Sequence, residues 1–459
     1  MVQPKLLSLA VLFSVLLVGC SGPTPRKLDC PIPNVDNSTS PSLPLNITLH
    51  IHGSGSMLGY VNHANSRYIQ TIDLLRRIFP DKNHNYTISY YRSGTGDQKI
   101  DYTKLLRAKL PEFYNGTNTD FPGVTSNIVA MIDPPEKDKD ELVVILTDLY
   151  QNGADATALA NKIQEFYLND NNKDYAVGVI GIKSEFNGKI YLDKNHQLET
   201  FHYNTDDPDK NTPEQFRPFY ILLIGPYSQV NNYFNELKTE GKEAFGENSK
   251  WLIFSPNHFM EKVANFQDTT DNHKYIPPDK IISKESLNDG SIIVQKDTKL
   301  IEFLQLKSSQ DKVKAQYSLN FRQTNYTSPL NNEDIDRTIK VQKSDKASKN
   351  WVESEDRKAL DIEPSGIKFE PSKNQMNLTT SIDPAQLTEP GIYYFKVDLT
   401  AKRISEEDWW KEWNSTDQEH EGSKTDNVKE FLLSLQKITT DLMKKNPPLL
   451  GRFCYAVQK

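Results

Sequence analysis

The chain of 459 residues carries 54 Lys and Arg against 61 Asp and Glu, a formal net charge of −7. Such a length predicts two or three domains, each able to bury a core. A hydrophobic content of 37% and a mean hydropathy of −0.63 exclude a polytopic membrane protein, and 10% aromatic residues argue against disorder throughout. The acidic balance gives no support to a nucleic-acid binder, and three cysteines are too few for a disulfide-built scaffold or a Cys-rich zinc site.

In chain order, Lys5 precedes an apolar run from Leu6 to Val18, too short to span about 30 Å of hydrocarbon but suited to the core of a signal peptide. The following Leu17-Val18-Gly19-Cys20 resembles the lipobox of bacterial lipoproteins. That resemblance implies removal of residues 1–19, lipid on Cys20 and a place in the bacterial cell envelope. Ser21 is compatible with the outer membrane rather than the inner one. Residues 20–44 hold Pro23, Pro25, Pro31, Pro33, Pro41 and Pro44 among Ser, Thr and Asn, which predicts an extended tether. With Cys20 taken by lipid, Cys30 and Cys454 are left in an oxidising compartment, as one disulfide or as two separate thiols.

Residues 45–265 alternate strand and helix signals. Ile47, Leu49 and Ile51 mark a strand, Tyr68, Ile69, Ile72, Leu75 and Phe79 a helix, and Tyr86–Tyr91 a second strand. The continuous run Leu142-Val143-Val144-Ile145-Leu146 has the length and composition of a strand buried on both faces. A helix stripe (Ala158, Leu159, Ile163, Phe166), strands at Tyr175–Ile182 and Phe219–Ile224, and a helix with Val230, Phe234 and Leu237 follow. The pattern predicts an α/β fold with a doubly wound, mostly parallel sheet. Residues 280–459 change to short strand-like runs between Asn288-Asp289-Gly290, Pro364-Ser365-Gly366 and Pro390-Gly391 turns, which predicts a β-rich, sandwich-like domain. A helical insertion near 404–445 interrupts it, with Val428, Phe431, Leu432, Leu435, Ile438 and Leu442 at helical period and Lys444-Lys445-Asn446-Pro447 as its stop.

The first strand runs into His52-Gly53-Ser54-Gly55-Ser56, and here the chain resembles the von Willebrand factor A (VWA) family. That family places Asp-x-Ser-x-Ser after its first strand, a threonine in a later loop and an aspartate after its fourth strand. Ser54 and Ser56 match the serines, Thr125 the threonine, and Asp148, in Val144-Ile145-Leu146-Thr147-Asp148, the later aspartate. The resemblance implies a Rossmann-like fold and a metal-ion-dependent adhesion site for one divalent cation, Mg²⁺ or Mn²⁺, with an acidic ligand group completing the shell. His52 departs from the pattern, because it replaces a carboxylate with an imidazole nitrogen that a hard cation uses poorly. Three outcomes stay open: a weak hard-cation site, a softer ion such as Zn²⁺ on His52, or a metal-free remnant.

Other motifs point elsewhere. His50 and His52 share a strand face, a spacing also found in metal hydrolases. The Gly53–Ser56 loop lacks the Lys-Ser/Thr of a phosphate-binding loop, and neither serine sits in Gly-x-Ser-x-Gly. Trp409, Trp410 and Trp413, beside Glu406-Glu407-Asp408, suit either an exposed partner surface or the packed face of a helix. The leading expectation is a non-enzymatic envelope lipoprotein whose VWA-like domain binds a protein or other macromolecule. The alternatives are a metal-assisted hydrolase using His50, His52 and Asp148, and a metal-free envelope assembly factor.

Overall fold

The computed structural model describes residues 25–33, 44–79, 86–136, 139–150, 156–172, 174–194, 197–269, 274–276, 281–297, 299–306, 311–370, 373–415 and 420–459. The expected leader, Cys20 and most of the expected tether lie outside these.

A seven-stranded sheet organises the N-terminal module. Its strands are β1 (Leu45–His52), β2 (Tyr86–Ser93), β3 (Asp97–Ile100), β4 (Asp140–Thr147), β5 (Tyr175–Ser184), β6 (Arg217–Pro226) and β7 (Lys250–Phe254), in the order β7-β5-β6-β4-β1-β2-β3. Only β1–β2 and β1–β4 pair in parallel; β2–β3, β4–β6, β6–β5 and β5–β7 are antiparallel. The sheet is therefore mixed, not mostly parallel. The expectation failed on β6, because strand–helix alternation says nothing about which gap a returning strand fills. β6 comes back antiparallel between β4 and β5, and there all ten of its residues are buried.

Side chains alternate between two cores, as strand geometry requires. Leu142, Val144, Leu146, Phe219, Ile221 and Leu223 face one core, with helix α1 (Arg67–Ile78) and helix α3 (Tyr227–Glu240) supplying Ile72, Leu75, Val230 and Phe234. Val143, Ile145, Val177, Val179, Tyr220 and Leu222 face the other. There α2 (Ala156–Phe166) supplies only part of the cover. Ile128, Met131 and Ile132 add to it, and the C-terminal half supplies the remainder: helix α4 (Val428–Lys445), which packs against α2, and Trp409, Trp410 and Trp413. These tryptophans are the packed face, with Trp410 fully buried. A Cβ at Gly181 would lie 2.9 Å from the Trp413 ring, so that strand position is kept bare for it.

The C-terminal module is β-rich. A six-stranded sheet runs in the order Ile281–Ser283, β8 (Ile301–Leu306), β14 (Leu449–Gln458), β13 (Ile392–Ala401), β10 (Ile335–Asp345), β11 (Asn350–Glu353). A five-stranded sheet is built on β9 (Val313–Asn320) and β12 (Gln375–Ile382). The strict alternation of burial along β9 and β12 marks each as having one core face and one outer face. Tyr317 of β9 meets Tyr455 of β14 across the gap, with Phe266 against both rings. Cys30 and Cys454 form a disulfide that ties the N-terminal segment to β14.

Candidate functional site

The site sits where β1 and β4 end, and strand register builds it. His50 lies opposite Ile145 and Ile51 opposite Leu146, so His52 falls beside Thr147, while Tyr220 of β6 lies opposite Thr147. His52, Thr147 and Asp148 are completely buried. The His52 imidazole joins both chain ends: Nδ1 lies 3.2 Å from Asp148 Oδ1 and 3.2 Å from Thr147 Oγ1, and Nε2 lies 2.9 Å from Ser54 Oγ. Ser54 Oγ also bonds Ser56 Oγ at 2.9 Å. With Nδ1–H donating to Asp148, Nε2 accepts from Ser54, and the ring fixes its own tautomer.

Asp148 leads into a strained turn. Leu149 adopts φ 58°, a conformation rare for a bulky residue, held by Leu149 N–H donating to Thr147 Oγ1 (3.0 Å) and Tyr150 N–H donating to Asp148 Oδ1 (3.2 Å). Burial pushes the Asp148 carboxyl up, but hydrogen bonding and charge from His52, the Arg217 charge and the Ser56 hydroxyl outweigh it and hold it below the usual Asp value. Arg217 Nη2 stands 3.9 Å from Asp148 Oδ2, an oxygen with no hydrogen-bond partner. Arg217 Nη1 donates to the carbonyls of Gly422 and Lys424, and Tyr220 shares a hydroxyl hydrogen bond with Thr425. The C-terminal module thus lays its Gly422–Thr425 segment over the edge where open α/β sheets usually take ligands.

Sequence reading missed Arg217. Its signal was present: one cation opening an otherwise apolar strand must find an anion or carbonyls when buried. It missed Arg92 likewise, which is 1% exposed, donates to the carbonyls of Phe113 and Gly53, and occupies the space a Cβ on Gly53 would need.

The five expected ligands are only partly brought together. His52, Ser54, Ser56 and Asp148 form one buried cluster. Thr125 stands apart: it is exposed, and its hydroxyl and N–H bond Thr95 Oγ1 at 2.9 and 3.0 Å. His50 belongs to a second cluster, 3.1 Å from Ser93 Oγ and 3.3 Å from Asp97 Oδ2, stacked on Tyr91.

The donors do not fit a hard cation. A carboxylate is missing at position 52, the serines are bonded to His52 and to each other, and Asp148 is balanced by an imidazole and a guanidinium. Among the described residues, no three His, Cys, Asp or Glu side chains gather as a metal site. The order Asp148–His52–Ser54 is that of a base-activated nucleophile. Yet Ser54 is 4% exposed, and the cavity beside Asp148, lined by Tyr150, Tyr191, Arg217 and Lys424, holds about 10 Å³. That is room for about one water, not for a substrate.

No protein-family model, characterised relative or solved structure matches the chain.

Proposed function

We propose that this protein is a lipid-anchored envelope protein whose VWA-like module binds a protein or other macromolecule without a metal ion. One observation carries the metal-independent form of the reading: Asp148, the residue matching the family's later metal ligand, is already engaged by His52 and Arg217. The open part of the same edge, with Thr95, Thr125 and the His50–Asp97 pair, is the surface left for a ligand.

Isothermal titration with Mg²⁺, Mn²⁺ and Zn²⁺ is expected to give no binding heat, and a saturable heat from any of them would overturn the metal-free reading. Affinity capture from detergent-solubilised membranes is expected to recover the same partners with and without chelator. Partners lost only with chelator would restore a metal-dependent adhesion site. A metal-free assembly factor remains the second reading, supported by the Gly422–Thr425 segment, which occupies part of the ligand edge from within the chain.

A further inference from the structure

Within the expected tether of residues 20–44, the stretch from Arg26 to Pro31 is packed onto the β-rich module. Arg26 N–H donates to the Ile293 carbonyl at 3.2 Å and its guanidinium to Asn350 Oδ1 at 3.0 Å, while Lys27 pairs with Asp297. Leu28 and Cys30 are buried in a small core with Leu287, Ile292, Val294 and Phe303. Tyr394 and Arg452 hold the carbonyls of Asp29 and Pro31, and the disulfide to Cys454 closes the segment covalently.

We infer that the end of the β-rich module around Ile293 and Asn350 is a membrane-facing surface that takes anionic lipid headgroups. The inference rests on the lipid-anchor reading of Cys20. Six residue steps separate Cys20 from Arg26, at most about 22 Å of chain at ~3.3–3.6 Å each. A compact chain of this length has a radius of gyration of about 22 Å, so a leash that short cannot pass round the molecule. Whatever holds Cys20 is therefore held close to this end.

The local charge fits that occupant. Although the whole chain is acidic, Arg26 and Lys27 make their contacts here, Lys296 and Lys299 follow Ile293 along the chain, and Lys346 and Lys349 lie in the turn that precedes Asn350. These lysines are exposed, as is Val352 on the adjoining edge strand β11. The acids nearby are Asp297, paired with Lys27, Asp345, turned back onto the N–H groups of Ala347 and Ser348, Asp289, held by Ser291 and Ser344, and the exposed Asp29 and Glu285, so the surface is basic only by a small excess. Basic side chains this close to a bilayer add to the hold of a single lipid anchor.

The test uses the full acylated protein in vesicles, with a fluorophore on Lys349→Cys or, for comparison, on Glu240→Cys at the end of α3, and spin-labelled lipid as quencher. Mass spectrometry first establishes the acyl mass on Cys20. Quenching at position 349 is expected to exceed that at 240 by about threefold or more in phosphatidylglycerol-containing vesicles, and to fall in pure phosphatidylcholine or on Lys296→Glu/Lys346→Glu. An acylated protein with equal quenching at both positions overturns this inference alone. Equal quenching at 349 in the two vesicle types overturns the headgroup preference. An unacylated Cys20 takes down the anchor reading and this inference with it.

Discussion

Two histidines on one strand, two residues apart, have met opposite fates. His52 is sealed: Asp148, Thr147 and Ser54 use its ring nitrogens, and Arg217 ties the carboxylate to the Gly422–Lys424 backbone. His50 meets Asp97, which keeps 19% of its side chain exposed, near the open Thr95–Thr125 pair. The difference lies in what the C-terminal module covers. The β4–β6 half of the edge is closed by a segment from more than two hundred residues downstream, and the β2–β3 half remains open. One half of the edge is a joint between modules, and the other is free of that cover.

That contrast can be broken first at Asp148. Asp148→Ala leaves Arg217 and His52 without their carboxylate, and loss of one partner from a buried ion pair costs about 3–5 kcal/mol. Denaturant unfolding is expected to show a loss of that order, with tryptophan emission shifting red as Trp409, Trp410 and Trp413 loosen. A loss below about 1 kcal/mol, the range of exposed pairs, would show that the joint is not structural.

The pH dependence should agree. Because the folded-state pKa of Asp148 is lowered, its contribution is complete above the unfolded-state value and is lost as pH falls through the lower folded one. Asp148→Asn should therefore flatten the acid limb of the stability curve, and an unchanged limb would mean that other carboxylates dominate it.

Next in size is His52→Asp, which puts beside Asp148 the carboxylate that the VWA pattern has at this position. It is expected to cost about 1–3 kcal/mol without metal, through like-charge repulsion in a buried site, and to gain Mg²⁺ or Mn²⁺ affinity measurable by titration. No gain would count against the alignment of His52 with that position.

The open half should respond least in stability and most in binding. Asp97→Asn, which removes the carboxylate beside the buried His50, is expected to cost about 1 kcal/mol, and Thr125→Ala, at an exposed position, about 0.5 kcal/mol or less. Either should weaken partner capture without moving the unfolding midpoint much. Full retention of partners by both variants would move the ligand surface elsewhere.

Much of the local order was legible. The strand signals at Ile47–Ile51 and Leu142–Leu146 and the α4 stripe from Val428 to Leu442 all lie in such elements, because alternation and 3.6-residue periodicity are local consequences of burial. That Ser54, Ser56 and Asp148 follow the ends of two strands was legible, but that His52 links Ser54 to Asp148 was not. The isolation of Thr125 was not, since a loop residue's reach depends on its neighbours, here Thr95.

The sequence by itself determined many of the elements, the faces they bury and which polar residues follow the strand ends. Tertiary structure alone decided that β6 returns antiparallel beside β4, that α4 and three tryptophans complete the second layer over a sheet formed far upstream, and that Arg217 closes on Asp148. The reason is physical: periodicity records whether a side chain is buried, but not which distant surface buries it. A charge in an apolar strand announces that it needs a partner, and only the packed chain supplies one.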